Sequence, residues 1–256
     1  MVYRPFDLTG KVAVITGGNS GIGLGMAEAV AEAGAEVSVW GRNGERNRAA
    51  VARLEALGAR ATGVVCDVAD PDAVARACNA TLEAHGRIDA AFANAGVDTG
   101  FTPFVDMTPA DVRRIIDINL NGTFFTFQAA ARHMIARGGG GSLVATSSIA
   151  AIEGRARGEH YAASKGGILS MVKALAVEMA RHGIRANSIV PGFIDTPRAG
   201  EAINAPKFVE RVLPRVPMRR WGQPADFGAI AIYLMSDASA YHTGDTFVID
   251  GGYTLF

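Results

Sequence analysis

The chain has 256 residues, 49% hydrophobic and 20% charged, a balance that excludes a disordered or coiled-coil protein. Its 25 Lys and Arg cancel its 25 Asp and Glu, so no net field draws nucleic acid or an anionic membrane. A membrane helix of roughly 18 apolar residues, a secretory signal in residues 1–10, and a disulfide framework or four-ligand zinc site built from Cys66 and Cys78 all find no match, so a cytoplasmic, metal-free protein is expected.

Glycine is unusually frequent, at 31 of 256 residues, against a typical share of about 7%. It is not accompanied by Pro or Ser runs, so it serves tight turns and close backbone approach rather than linkers. Residues 11–16, Lys-Val-Ala-Val-Ile-Thr, form an apolar run that suits a strand buried on both faces of a parallel sheet. A helix is expected over 22–33 and stopped by Gly34, a strand over 37–40, a helix over 43–57, and a strand over 61–65. Asp70 and Pro71 then place an N-cap and a first-turn proline before a helix over 72–84.

Strand four spans 88–93, and Thr108-Pro-Ala-Asp111 is a capping-box-like start for a helix through Asn119. A further helix covers 122–137, followed by a strand over 142–146, a long helix over 159–181, and a strand over 184–190. Pro224 opens a helix to about Met235, and residues 246–249 form a last strand. The β-α alternation runs the length of the chain without a composition break, which predicts a single doubly wound parallel α/β domain over 1–256, with about seven strands and helices on both faces. Residues 193–222 carry Pro197, Pro206, Pro214 and Pro217 with only a short helical stretch over 207–213. That segment is expected to be a substrate lid, or else a surface excursion.

Thr16-Gly17-Gly18-Asn19-Ser20-Gly21-Ile22-Gly23 joins the first strand to the first helix. Glycines there let the backbone approach a pyrophosphate whose charge the helix N-terminus favours. The spacing is G-x-x-x-G-x-G rather than G-x-G-x-x-G, because Met26 stands where a third glycine of the latter would fall. Ala93-Asn94-Ala95-Gly96, Ile118-Asn119, Ser147-Ser148, Tyr161-Ala-Ala-Ser-Lys165 and Pro191-Gly192-Phe-Ile-Asp-Thr196 follow in order. With this ordered set the chain resembles the short-chain dehydrogenase/reductase family from about Leu8 to Tyr253, including 3-oxoacyl carrier-protein reductases and polyol dehydrogenases, and the resemblance implies a Rossmann fold.

Tyr161 and Lys165 stand at i and i+4 and share one helix face. A nearby ammonium favours phenolate, so Lys165 is expected to lower the Tyr161 pKa and suit it as general acid or base. The resemblance implies that Ser148, thirteen residues before Tyr161, hydrogen-bonds the substrate oxygen as charge develops, with Ser147 structural. It implies that Asn119 holds a water relaying protons to Lys165. It also implies cofactor contacts from Gly17, Asn19, Ser20, Gly21, Ile22, Gly23, Asp67, Val68, Asn94, Gly96, Pro191, Ile194 and Thr196, besides Tyr161 and Lys165. In that scheme Asp67 meets adenine and Thr196 the carboxamide, and Ile194 borders the nicotinamide; taken alone, Asp67 reads as a turn-capping residue.

NAD-preferring relatives place an Asp where Gly41 stands. Arg42 follows directly and suits a 2′-phosphate, so NADP(H) is favoured. Ser20, where many NADP-preferring relatives carry a basic residue, keeps NAD(H) open. The implied activity interconverts a secondary alcohol and a ketone, on a 3-oxoacyl thioester, a sugar or polyol, or a simple ketone. Glu153, Arg155, Arg157, Glu159 and His160 are expected to border the pocket, with Arg198 beside them, as a carboxylate or phosphate reader or as ordinary surface charge. The helices over 108–137 and 159–181 and the end Asp250–Phe256 resemble family contacts that form a homotetramer. A dinucleotide-binding sensor without turnover is the alternative from another class.

Overall fold

Seven strands pair side by side, all parallel, in the order β3-β2-β1-β4-β5-β6-β7. The computed structural model describes residues 5–98 and 100–255; residues 1–4 of the stretch read as lacking a signal, and Phe256 of the expected tetramer-forming end, lie outside them. In chain order the strands are β1 (Val12–Thr16), β2 (Glu36–Gly41), β3 (Ala61–Val65), β4 (Ala90–Ala93), β5 (Gly141–Thr146), β6 (Ile184–Pro191) and β7 (Thr246–Ile249). The helices are α1 (Gly21–Glu32), α2 (Gly44–Ala56), α3 (Pro71–His85), α4 (Pro109–Ile116), α5 (Gly122–Arg137), α6 (Glu159–Met179), α7 (Pro206–Val212) and α8 (Gly228–Met235).

Every residue of β1 and β4 is buried, as continuous apolar runs covered on both faces require. One face of the sheet packs through Val14, Leu143 and Ala186 against Ala77 and Cys78 of α3, Phe127 of α5 and Ile168 of α6. The other packs through Ile15, Val39 and Phe92 against Met26 and Val30 of α1, Leu54 of α2 and Leu234 of α8. The expected doubly wound Rossmann sheet is therefore present. A polar group is also built into it: Trp40 donates its indole N–H to Ser38 and Thr81, 3.1 and 3.0 Å away, so its large buried ring leaves no unsatisfied donor.

Local signals behave as chemistry dictates. Asn43 caps α2 by accepting from the Arg46 N–H at 2.9 Å, and Asp70 accepts from the Asp72 N–H ahead of Pro71. Thr108 and Asp111 form a reciprocal capping box. Most boundaries shift by a residue or two, with strand four starting at Ala90 and the helix expected to 181 ending its α geometry at Met179, and two others differ more. The helix expected to run through Asn119 ends its α geometry at Ile116 and widens into a π-type turn over Asp117–Asn121 before α5. The helix expected from Pro224 begins as a 3-10 turn, Pro224–Phe227. Among the described residues no helix is long and apolar enough to cross a membrane.

Candidate active site

The strand order reverses between β1 and β4, where the chain leaves β1 in one direction and β4 in the other. Open α/β sheets present a crevice there, at the carboxyl ends of the strands. Thr16 closes its floor: its Oγ1 accepts from the backbone N–H groups of Asn94 and Ala95, both at 3.0 Å, and Asn94 Nδ2 donates to the Thr16 carbonyl at 3.1 Å. Gly17 and Gly21 take φ of +65° and +53°, values that favour glycine. A Cβ on Gly23 would sit 2.4 Å from the Gly17 carbonyl oxygen, so the turn folds directly onto the start of α1. Ser20 stands at the N-cap without a side-chain cap bond, leaving Ile22 and its neighbours in the first turn suited to an anion.

At the outer end of the crevice, Arg42 is exposed and carries no ion pair among the described residues. Gly41 beside it is crowded by Asn19 and Asn47, whose side chains hydrogen-bond each other at 2.6 Å. Asp67 accepts from the Ala69 N–H at 3.1 Å, so its carboxylate caps the turn after β3. Val68 is buried and packs on Gly122.

At the inner end, the first turns of α6 bring Tyr161 and Lys165 against the end of β5. Lys165 is only 4% exposed; its Nζ donates to the Thr146 carbonyl at 2.8 Å and lies 5.8 Å from the centre of the Tyr161 ring. The Ser148 hydroxyl hydrogen-bonds the Tyr161 phenol and accepts from the Ala150 N–H. Ser147 holds α6 in place by donating to the Lys165 carbonyl at 2.8 Å, the structural part expected of it.

Asn119 is fully buried in the π-type turn. Its Oδ1 accepts from the Val97 N–H at 2.7 Å, and its Nδ2 donates to the Val97 carbonyl at 2.9 Å and to Ser164 at 3.1 Å. The side chain is thus a clamp between the turn after β4 and α6, which accounts for an asparagine inside a helix. Gly96 fits between them: a Cβ there would be 3.2 Å from Asn119 Oδ1 and 3.4 Å from Lys165 Nζ.

The electrostatics correct one expectation. The phenol is not held below its ordinary value: burial raises it, opposed by the Ser148 hydrogen bond and the cations Arg198 and Arg155, while Asp98 adds to the rise. Burial, reinforced by Arg198, brings Lys165 itself down to about 7. At Tyr161 the Ser148 bond and the two arginines offset desolvation only in part, and at Lys165 Arg198 adds to it.

Arg155 is the member of the 153–160 run that faces the site. Its guanidinium stands 4.9 Å from the ring centres of both Phe101 and Tyr161 and pairs with Asp98 at 2.7 Å. Arg198 donates to the Gly96 carbonyl. Glu159 instead accepts from the Arg157 N–H, and His160 is buried. Thr196 lies against Gly21, its Cγ2 3.2 Å from where a Cβ would be, just beyond Pro191 at the end of β6. Ile194 turns into the core against Gly222 rather than into the crevice. Phe193 anchors residues 193–222 through rings of Phe208, Trp221 and Tyr253 at 5.6, 6.0 and 5.0 Å.

Asn47, Asp98 and the Thr146 carbonyl join the site without having stood out in the sequence. Asn47 had a signal, as a polar residue in the α2 row with Ala50 and Leu54; a backbone carbonyl has none. The glycine cradle, the solvent-facing Arg42 and the approach of Thr196 to Gly21 fit a dinucleotide lying across the strand ends. Among the described residues no group of three or more His, Cys, Asp or Glu is placed to hold a metal ion.

A family model described as Enoyl-(Acyl carrier protein) reductase matches residues 17–254. The chain is 37% identical to an L-rhamnose 1-dehydrogenase (NAD(P)(+)) of Sphingomonas sp., over 96% of each chain. A short-chain type dehydrogenase/reductase from Mycobacterium marinum superimposes with a TM-score of 0.93 at 38% identity, covering 98% of both chains. A gluconate 5-dehydrogenase from Burkholderia cenocepacia, solved in complex with NADP and tartrate, superimposes with a TM-score of 0.93 at 35% identity, covering 99% of this chain and 98% of that one.

Proposed function

The chain belongs to the short-chain dehydrogenase/reductase family, an oxidoreductase acting on CH–OH groups, and from that premise we propose that it interconverts a secondary alcohol and a ketone with NADP(H) at the Ser148–Tyr161–Lys165 site. The observation that carries this reading is the Tyr161 phenol held between the Ser148 hydroxyl and the buried Lys165 beside the glycine cradle. The bound nicotinamide supplies or accepts the hydride. Tyr161 gives its phenolic proton to the substrate oxygen in reduction and takes it back in oxidation, and Ser148 donates a hydrogen bond to the same oxygen as charge gathers there. Lys165, titrating near neutrality, exchanges the proton that Tyr161 passes on. Asn119 keeps Lys165 and the turn after β4 in register through Val97 and Ser164.

NADP(H) rather than NAD(H) is supported by the exposed Arg42, which has no ion pair among the described residues, beside a Gly41 that leaves no carboxylate for the ribose. Asp67, Val68, Asn94, Gly96, Pro191 and Thr196 line the remaining path of the cofactor. For substrate, the Arg155 and Arg198 guanidinium groups keep N–H donors beyond those spent on Asp98 and Gly96, which favours a polar, oxygen-rich molecule such as a sugar or sugar acid over a long acyl thioester. Residues 193–222 act as its lid within one catalytic domain. We place the protein in the cytoplasm, where thiols such as the free, buried Cys66 and Cys78 stay reduced.

Paired fluorescence titrations with NADPH and NADH, followed by turnover on a panel of sugars, sugar acids and ketones, test this. NADPH binding at least tenfold tighter is expected, a difference of about 1.4 kcal/mol. Tyr161→Phe is expected to keep that affinity within about twofold and lose roughly 10²–10⁴ in kcat. Tighter NADH binding overturns the cofactor assignment, and a Tyr161→Phe variant with full turnover overturns the mechanism.

A further inference from the structure

Helix α2 buries Asn47, Ala50 and Leu54 against the sheet, and an amide in that row has to be satisfied internally. Asn47 is 2% exposed and donates through Nδ2 to the carbonyls of Gly41 and Val64, both at 2.9 Å. Those two acceptors fix its orientation and leave Oδ1 facing the glycine turn, where it accepts from Asn19 Nδ2 at 2.6 Å. One buried side chain therefore joins the ends of β2 and β3 to the turn after β1. The pair also fills the space next to Gly41: a Cβ there would lie 2.4 Å from Asn19 Nδ2 and 2.8 Å from Asn47 Oδ1. A side chain at position 41 has to displace Asn19 Nδ2 and Asn47 Oδ1, the two atoms of that hydrogen bond.

We propose that the Asn19–Asn47 pair is a positioning lock on cofactor choice, holding the space beside Gly41 closed to a ribose-binding carboxylate and so leaving Arg42 to select a 2′-phosphate. This rests on the reading of this end of the crevice as the adenosine side of the dinucleotide site. The lock differs from a missing aspartate in one respect: adding the carboxylate alone does not create an NADH site, because the pair already occupies its place.

A cycle of Gly41→Asp, Asn47→Ala and the double variant, read by NADH and NADPH fluorescence titration, tests the coupling. Asn47→Ala removes both amide branches, which frees Asn19 and the space beside Gly41 at the cost of the donors to the Gly41 and Val64 carbonyls, so its melting temperature is read alongside. Gly41→Asp alone is expected to weaken NADPH at least tenfold and NADH at least threefold. In the Asn47→Ala background the same change is expected to tighten NADH at least fivefold relative to Asn47→Ala alone. A merely structural asparagine would shift melting temperature without reversing the sign of the Gly41→Asp effect. If the double variant does not fold, Gly41→Asp with Asn19→Gly asks the same question from the turn. NADH tightened by Gly41→Asp alone, or equal effects in both backgrounds, overturns the lock while the NADP(H) reading stands. Failure of the parent protein to bind either dinucleotide overturns both.

Discussion

Burial acts on Lys165 and Tyr161 toward their neutral forms, bringing the lysine to about 7 and the phenol above its usual value. Arg198 opposes the shift at the phenol and reinforces it at the lysine. Lys165 is then the member of the pair whose charge changes near neutral pH, which suits a relay that refills or empties Tyr161. It also has a thermodynamic consequence. Between about 7 and the unfolded value of 10.5 the unfolded chain binds the proton that the native chain does not, so this group makes stability rise with pH there. Below about 7 both states are protonated and its destabilisation is complete. Lys165→Met is therefore expected to abolish turnover yet raise stability at pH 6 by on the order of 1 kcal/mol, partly offset by the donor lost to the Thr146 carbonyl. Urea unfolding of the cofactor-free protein at pH 6, 8 and 10 checks this: the gain shrinks as pH rises, and a constant difference contradicts it.

Helix α1 separates two uses of glycine within a single turn. Gly23 meets the Gly17 carbonyl, and Gly25 meets the Pro224 carbonyl of the segment before α8, each with a prospective Cβ at 2.4 Å. Both neighbours are backbone atoms that cannot rotate away. The first contact shapes the cofactor turn and the second docks the 224–227 turn on α1. Gly23→Ala is expected to weaken NADPH binding at least tenfold. Gly25→Ala is expected to cost about 1–3 kcal/mol of stability by overpacking, with a smaller change in affinity. Thermal melts with and without NADPH distinguish the two; a matched loss of affinity in both variants would show that the helix moves as a unit. At this scale much was legible beforehand. The capping residues Asn43, Asp70 and Thr108 act through bonds to N–H groups two or three positions ahead, so short-range chemistry suffices to place them. The π-type turn at 117–121 was not legible, because the bonds that occupy the Asn119 side chain come from Val97 and Ser164, far away in the chain.

Across the whole molecule, apolar side chains remain on the outside of the helices expected to meet other copies. Val112 on α4, Phe124 on α5 and Val177 on α6 are exposed, as are Val248 on the edge strand β7 and Leu255 beyond it. Val112, Phe124, Val177 and Leu255 lie on the elements expected to meet other copies, and we propose that the chain forms a homotetramer. Light scattering is expected to give four times the chain mass, with Phe124→Asp or Val177→Asp producing a smaller species of lower melting temperature. A monodisperse monomer at micromolar concentration would refute it.

The β-α alternation, the glycine turn, the capping residues and the spacing of Ser148, Tyr161 and Lys165 were all readable because each depends on residues near one another in sequence or on an ordered set of motifs. By itself the sequence determined the fold class, the crevice and the residue types available for chemistry. Only the tertiary structure decided how those residues are charged and constrained. It buried Lys165 beside Tyr161, stacked Arg155 on Tyr161, turned Ile194 into the core and closed Asn19 and Asn47 over Gly41. Desolvation and close packing are set by atoms brought from distant parts of the chain, and no local pattern carries that information.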